Sequence, residues 1–323
     1  MNAAPTPPKS EQLVLRSDVL DVVVLPRKGA DIYSIIDRIS GIDVLFKSPW
    51  GWRDPDALPR TGDSQRDWLA RYPGGWQQLV PNAGQPRCVD GVERGYHGEA
   101  AVTPWQVQAR THDSARLTTG LRSAPLSLTR TLVLDGPTLH ITDIVMNDSA
   151  APTEVMWVQH PGFGAPFVDG SCTLDFDAAT LISDAEEPGT ALAIDTSYDV
   201  SAATTEFSRK FRHVPAPNSA SSSFGCLTDF RSGWFRIDSP HSGFGIRVDW
   251  DADVFPHAWF WQECHASTGY PWFGEAYVVA IEPANVLPGD PSPGCRHRGR
   301  APLIAPGQAR ISRLSVSRTS LVR

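Results

Sequence analysis

No apolar run in the 323-residue sequence approaches the roughly 20 residues needed to span a bilayer. The Pro-rich, polar start, Met1 to Gln12, has no hydrophobic signal core. A cytoplasmic protein without membrane contact is therefore expected. A basic surplus is missing as well: 29 Lys and Arg against 36 Asp and Glu leave a formal charge of -7, with the cations scattered along the chain. Nothing there offers nucleic acid an electrostatic footprint. Cysteine is sparse and odd in number: Cys88, Cys172, Cys226, Cys264 and Cys295 lie far apart with no Cys-x-x-Cys pair. That spacing speaks against a disulfide framework and a zinc site. The chain lacks a Gly-x-Ser-x-Gly elbow, and Gly162-Phe163-Gly164 and Gly243-Phe244-Gly245 lack the further spacing of a dinucleotide fingerprint. His257 and His265 with Glu263 nearby resemble metal ligands at first sight, but Trp259 and Trp261 between them fit a strand better. Neither a metal nor a cofactor is expected. Missing too are a sustained helical period and a repeat of fixed length.

What the chain does have is 11 Trp, 28 Pro and 26 Gly, set among short runs of Val, Leu and Ile. Flat aromatic faces suit the apolar faces of sugar rings, although Trp is also ordinary core filling. Asp21 to Pro26 and Asp31 to Asp37 read as two strands around an Arg27-Lys28-Gly29-Ala30 turn. Further strands are expected at Ala115 to Leu121, Leu126 to Leu134, Thr138 to Asn147, Met156 to His160, Trp234 to Ile237, Gly243 to Asp249, Ala258 to Cys264, Ala276 to Glu282 and Ala309 to Ser317. Leu45 to Arg71 follows no period and reads as a long surface excursion, and polar Thr196 to Ser223 as a loop. Many short strands with Gly and Pro turns predict an all-β protein, a large antiparallel sandwich. A disordered tail over residues 1–10 and one domain over 11–323 are expected.

Three polar residues sit uncomfortably for a plain structural account. Strand alternation in Tyr277 to Pro283 puts Glu282 on one face with Val278 and Ala280, just before Pro283 ends the ladder. Buried there, a carboxylate needs a hydrogen-bonding partner or a ligand. His160 shares a face with Met156 and Val158 and meets Pro161-Gly162. His97 lies in Gly95-Tyr96-His97-Gly98, where glycines allow a close backbone approach. Each residue on its own is compatible with an ordinary structural role.

Five stretches, in order, resemble the aldose 1-epimerase (galactose mutarotase-like) family: Val24 to Ile32, Gly74-Gly75-Trp76-Gln77-Gln78 to Gly84, Tyr96-His97-Gly98-Glu99-Ala100 with Trp105, Trp157-Val158-Gln159-His160-Pro161, and Ile281-Glu282-Pro283. The resemblance covers nearly the whole chain after the tail. It implies a supersandwich with an open sugar cleft, Glu282 as general base, His160 as general acid, and His97 as a second acid or hydrogen-bond donor. Asn82, Gln78, Trp157, Trp261 and Gln262 become expected sugar contacts. The family's His-Gly block commonly ends in Arg where this chain has Ala101, so Arg71 or Arg94 is the expected substitute anchor. Glu99, where an aromatic is more usual, hints at an altered substrate. For an anionic sugar, Arg66 and Arg87 join Arg71 and Arg94 as candidates by proximity in sequence.

The expected activity is anomer interconversion: a base removes the C1 hydroxyl proton while an acid protonates the ring oxygen. A Glu ionised at neutral pH beside a protonated His would suffice. The expected partner is a small sugar, with the chain a monomer or homodimer. Alternatives from other classes are a non-catalytic carbohydrate-binding protein and a glycoside hydrolase or lyase, the latter needing paired carboxylates at set separations.

Overall fold

The computed structural model describes residues 4–201, 206–289 and 301–321. Alternation of apolar and polar side chains organises an eight-stranded antiparallel sheet in the order Thr173–Phe176, Gly233–Ser239, Phe244–Trp250, Ala309–Thr319, Thr138–Asn147, Leu126–Asp135, Ser114–Gly120 and Gln106–Arg110. Along Leu126–Asp135 every second residue is buried, and Thr138–Asn147 repeats the pattern. Leu128, Leu132, Leu139, Ile141 and Val145 thus form one wall of the main core.

The other wall is an eleven-stranded sheet that runs Leu13–Arg16, Leu20–Leu25, Asp31–Asp37, Trp76–Leu79, Val158–Pro161, Tyr277–Ala284, His257–Cys264, Ser221–Thr228, Thr180–Ser183 and Ser197–Asp199, with Phe163–Gly164 beside Tyr277–Ala284. Two packed antiparallel sheets are the sandwich expected from the sequence. A buried polar staple joins them. Arg130 holds Asp143 through two bonds of 2.8 and 2.9 Å, and Gln159 of the larger sheet donates to the same carboxylate at 2.8 Å. All three side chains are buried, and Trp76 completes the network by donating to Gln159 at 3.0 Å. An unpaired buried charge would be strongly destabilising, so the network constrains how the sheets meet.

The central strands of the larger sheet are buried on both faces: every residue of Tyr277–Ala284 is. Val279 and Ile281 enter the main core, whereas Val278 and Ala284 enter a second cluster on the far face with Phe46, Trp68, Tyr72, Leu79, Val158 and Trp259. The excursion after Leu45 is what covers that face. It was expected at the surface, yet Trp52, Trp68 and Leu69 are buried. It also holds a helix, Ser64–Ala70, with Asp63 as N-cap, too short for a helical period to show in the sequence.

The expected loop Thr196 to Ser223 is likewise more structured. It contains the edge strand Ser197–Asp199 and a helix, Glu206–Phe211, because Tyr198 stacks on Phe207 at 4.1 Å and Phe211 reaches the core. Near the start of the chain, the Pro5 carbonyl accepts from the Trp52 N–H at 2.7 Å and that of Pro7 from the Gln12 amide at 2.7 Å. Cys172, Cys226 and Cys264 are buried thiols and Cys88 an exposed one, while Cys295 lies outside the described residues. No helix among the described residues is long and apolar enough to cross a membrane.

Candidate functional site

Four neighbouring strands of the larger sheet form the floor of the site. Residues opposed across an antiparallel pair share a face. His160 lies opposite Gln77, Val158 opposite Leu79 and Ala284, Glu282 opposite Trp259, and Ala280 opposite Trp261. All of these point away from the smaller sheet, and the alternation read in the sequence holds for both Glu282 and His160. Their side chains meet, with His160 Nε2 3.7 Å from Glu282 Oε1.

His97 arrives from above the strand ends. Its backbone is left-handed, φ +56°, and Gly98 follows at φ +73°, where an added Cβ would lie 2.6 Å from the Val80 carbonyl. The Gly84 N–H donates to His97 Nδ1 at 3.0 Å, so Nδ1 is an acceptor and the neutral ring carries its proton on Nε2. The ring stands 5.5 Å from that of His160 and 4.6 Å from that of Trp68.

Aromatic side chains that sequence reasoning passed over wall the cluster. Trp68 and Tyr72 stack at 4.9 Å, both edge-on to His160. Trp261, one of the expected contacts, lies 6.4 Å from His160 and 5.5 Å from Trp272. Under this cover Glu282, His160 and His97 are only 2, 6 and 7% exposed. Buried polar atoms without a partner in the protein include Glu282 Oε2, His160 Nδ1, Tyr72 Oη, Trp68 Nε1, Gln77 Oε1 and Asp31 Oδ1. Such atoms are destabilising unless something binds them.

Burial also decides protonation. It pushes the Glu282 carboxyl well above the ordinary carboxylate range. His160 is pushed down to about 4, by burial first and also by the nearby Lys28 charge, and His97 is lowered by burial and by His160. Both shifts run against the ionised Glu and protonated His expected from the sequence. Across the 3.7 Å between them, desolvation by burial is the larger effect and disfavours charge on either group.

Other expected contacts fall elsewhere. Gln78 lies opposite Gln159 and Gln262 opposite Val279, so both face the inter-sheet side, and Gln77 takes the site-facing position next door. Trp157 packs on Phe255 at 5.1 Å in the main core. Asn82 is occupied in its loop, donating to the Gln85 and Gly95 carbonyls and accepting from Arg87. Arg71 donates to the carbonyls of Pro55, Asp67 and Leu58 at 3.2, 3.0 and 2.6 Å, which fixes the excursion. Arg94 bonds the Glu154 carbonyl and Arg87 the Glu154 carboxylate, while Arg66 is exposed.

At Ala101 the nearby cation is Lys28, a buried residue overlooked in the sequence although it sits in the first hairpin motif. It donates to the Ala101 carbonyl at 2.6 Å and to Asp31 at 2.7 Å. Glu99 accepts from the Arg122 and Ser123 N–H groups, a loop-holding role. Among the described residues no group of three or more His, Cys, Asp or Glu side chains is placed to hold a metal ion. Glu263 instead accepts from the Ala266 and Ser267 N–H groups. A cavity of about 440 Å³ lined by Phe46, Asp169, His241, His265, Glu275 and Tyr277 lies toward the other end of the Glu282 strand and contains none of the three expected catalytic residues.

A family model described as "Domain of unknown function (DUF4432)" matches residues 10–317. The chain belongs to this family. No curated protein matches the DUF4432 chain by sequence. Solved structures do match its fold. The Slr1438 protein of Synechocystis sp. PCC 6803 aligns at TM-score 0.71 and 15% identity, over 99% of this chain and all (100%) of that one. A galactose mutarotase related enzyme from Lactobacillus acidophilus aligns at 0.68 and 15%, over 96% and 97% of the two chains. A galactose mutarotase-like protein from Lactobacillus casei aligns at 0.67 and 15%, over 95% and 99%. The DUF4432 chain therefore has the galactose mutarotase-like β-sandwich fold, as its motifs suggested.

Proposed function

We propose that the protein is an aldose 1-epimerase, a mutarotase that interconverts the α and β anomers of a hexose or hexose derivative. The observation that carries this reading is the buried Glu282–His160 pair, 3.7 Å apart, with an unbonded oxygen and an unbonded nitrogen beside it. Ring opening needs one group to take the C1 hydroxyl proton and another to protonate the ring oxygen, with the roles exchanged on closure. A pair that holds one proton between two partners supplies both. Glu282 and His160 are those two partners, one giving a proton to the ring oxygen as the other receives the hydroxyl proton. His97 assists through its Nε2–H as a neutral donor.

Trp261 and Trp272 offer flat surfaces to the C–H face of a sugar ring. Because the pair is nearly fully covered, part of that aromatic wall moves as the sugar enters. The test is NMR exchange spectroscopy of α and β anomeric protons for glucose, galactose and anionic hexoses, with and without protein. Accelerated exchange for any sugar supports the reading, and unchanged exchange across the panel overturns it. The departure at Ala101 favours one second reading, a non-catalytic carbohydrate-binding protein, which sugar binding without exchange would mark.

A further inference from the structure

We infer that Tyr72 is a further catalytic residue of this site, its hydroxyl donating a hydrogen bond to the ring oxygen of the bound sugar while the Glu282–His160 pair supplies that oxygen's proton. The assignment rests on the mutarotase reading and concerns a residue with no place in the motifs that suggested it. Tyr72 is 1% exposed and its hydroxyl has no partner in the protein. The phenol ring stands 5.7 Å from that of His160, nearly perpendicular, and a Cβ placed on Gly162 would lie 3.2 Å from the hydroxyl. The hydroxyl therefore rests over the strand end two residues beyond His160, where any larger residue would crowd it. Burial pushes the phenol well above its ordinary value of 10 and keeps it a hydrogen-bond donor at ordinary pH values.

The surroundings hold this group in place. The Tyr72 carbonyl accepts from Ser48 Oγ at 2.5 Å and from Trp50 Nε1 at 3.0 Å, and Arg71 next to it is held by three carbonyls. Trp68 stacks on one side of the ring and Trp272 meets it edge-on at 6.3 Å. A phenol so firmly placed, with its polar end unbonded in a buried site, fits a donor kept for a ligand.

A ring oxygen has two lone pairs. As the bond from C1 to the ring oxygen breaks, one receives a proton from one member of the Glu282–His160 pair while the C1 hydroxyl proton passes to the other. The other accepts the Tyr72 hydrogen bond, which strengthens as electron density collects on the departing oxygen. Tyr72 keeps its own proton throughout, and no net charge is created.

The experiment compares Tyr72→Phe with the wild-type chain by anomer exchange and thermal unfolding. The ring packing is retained and only the hydroxyl is lost. The expected result is a kcat lower by about 10- to 100-fold, a KM within about threefold of wild type, and an unchanged or higher Tm. Wild-type kcat in the variant overturns the assignment while leaving the mutarotase reading intact. A fall in both kcat and Tm also overturns it, because the hydroxyl would then be a structural partner. A wild-type chain that exchanges no sugar overturns the mutarotase reading and the assignment together.

Discussion

Replacing Glu282 with Gln keeps the shape of the side chain and removes its titratable proton, with two separate consequences. Positioned acid–base groups typically contribute about 10² to 10⁴, so exchange should slow at least about 100-fold in the NMR assay. The second consequence concerns stability. Burial holds the Glu282 carboxyl well above its ordinary value of 4.5, so above that pH the native chain keeps a proton that the unfolded chain has released. The Glu282 contribution to stability is therefore complete at low pH and declines as pH rises toward the raised native value, by about 1.4 kcal/mol per pH unit. The Gln variant has no such slope. The wild-type advantage over the variant should shrink as pH rises from 5 towards 7 in urea unfolding. His160 acts in the opposite sense: its native value is depressed from 6.5 to about 4, so its contribution is full above 6.5 and lost as pH falls toward 4. That slope is present in both proteins and cancels in their difference. Parallel curves for the two proteins between pH 5 and 7 would refute the argument from burial, and an undiminished exchange rate would remove Glu282 from the mechanism.

Arg130→Met leaves Asp143 charged and buried between the sheets, and urea unfolding should show a loss of about 3–5 kcal/mol. Adding Asp143→Leu should restore much of it, and a double variant no better than the single would disprove the pairing. Arg71→Lys should lower stability by about 1–3 kcal/mol, because three carbonyls lose their shared donor, while leaving the KM for sugar within about twofold. A large rise in KM with stability intact would return Arg71 to the substrate site. Gly98→Ala places a Cβ against the Val80 and Asn82 carbonyls at 2.6 and 2.7 Å in a left-handed backbone. It should reduce stability by about 1–3 kcal/mol and slow exchange by displacing His97. Wild-type behaviour in both measurements would show that the His97 loop is free to relax.

The sequence by itself determined the local patterns: which stretches become strands, and that Glu282 shares a face with Val278 and Ala280, and His160 with Met156 and Val158. A period-two pattern is local physics, legible wherever apolar side chains alternate. The order of neighbours is not local. Gln77, His160, Glu282 and Trp259 become adjacent only because strands from three distant parts of the chain pair in one register. One residue of register separates Gln77, which faces the site, from Gln78, which faces the other sheet, and no motif distinguishes two consecutive glutamines. The destinations of the arginines were equally hidden, since a guanidinium is satisfied by whichever carbonyls the fold brings near, and Arg71 found three of them in its own excursion. Only the tertiary structure decided that this excursion folds down over the sheet. That cover removes water from Glu282 and His160 and so disfavours charge on either.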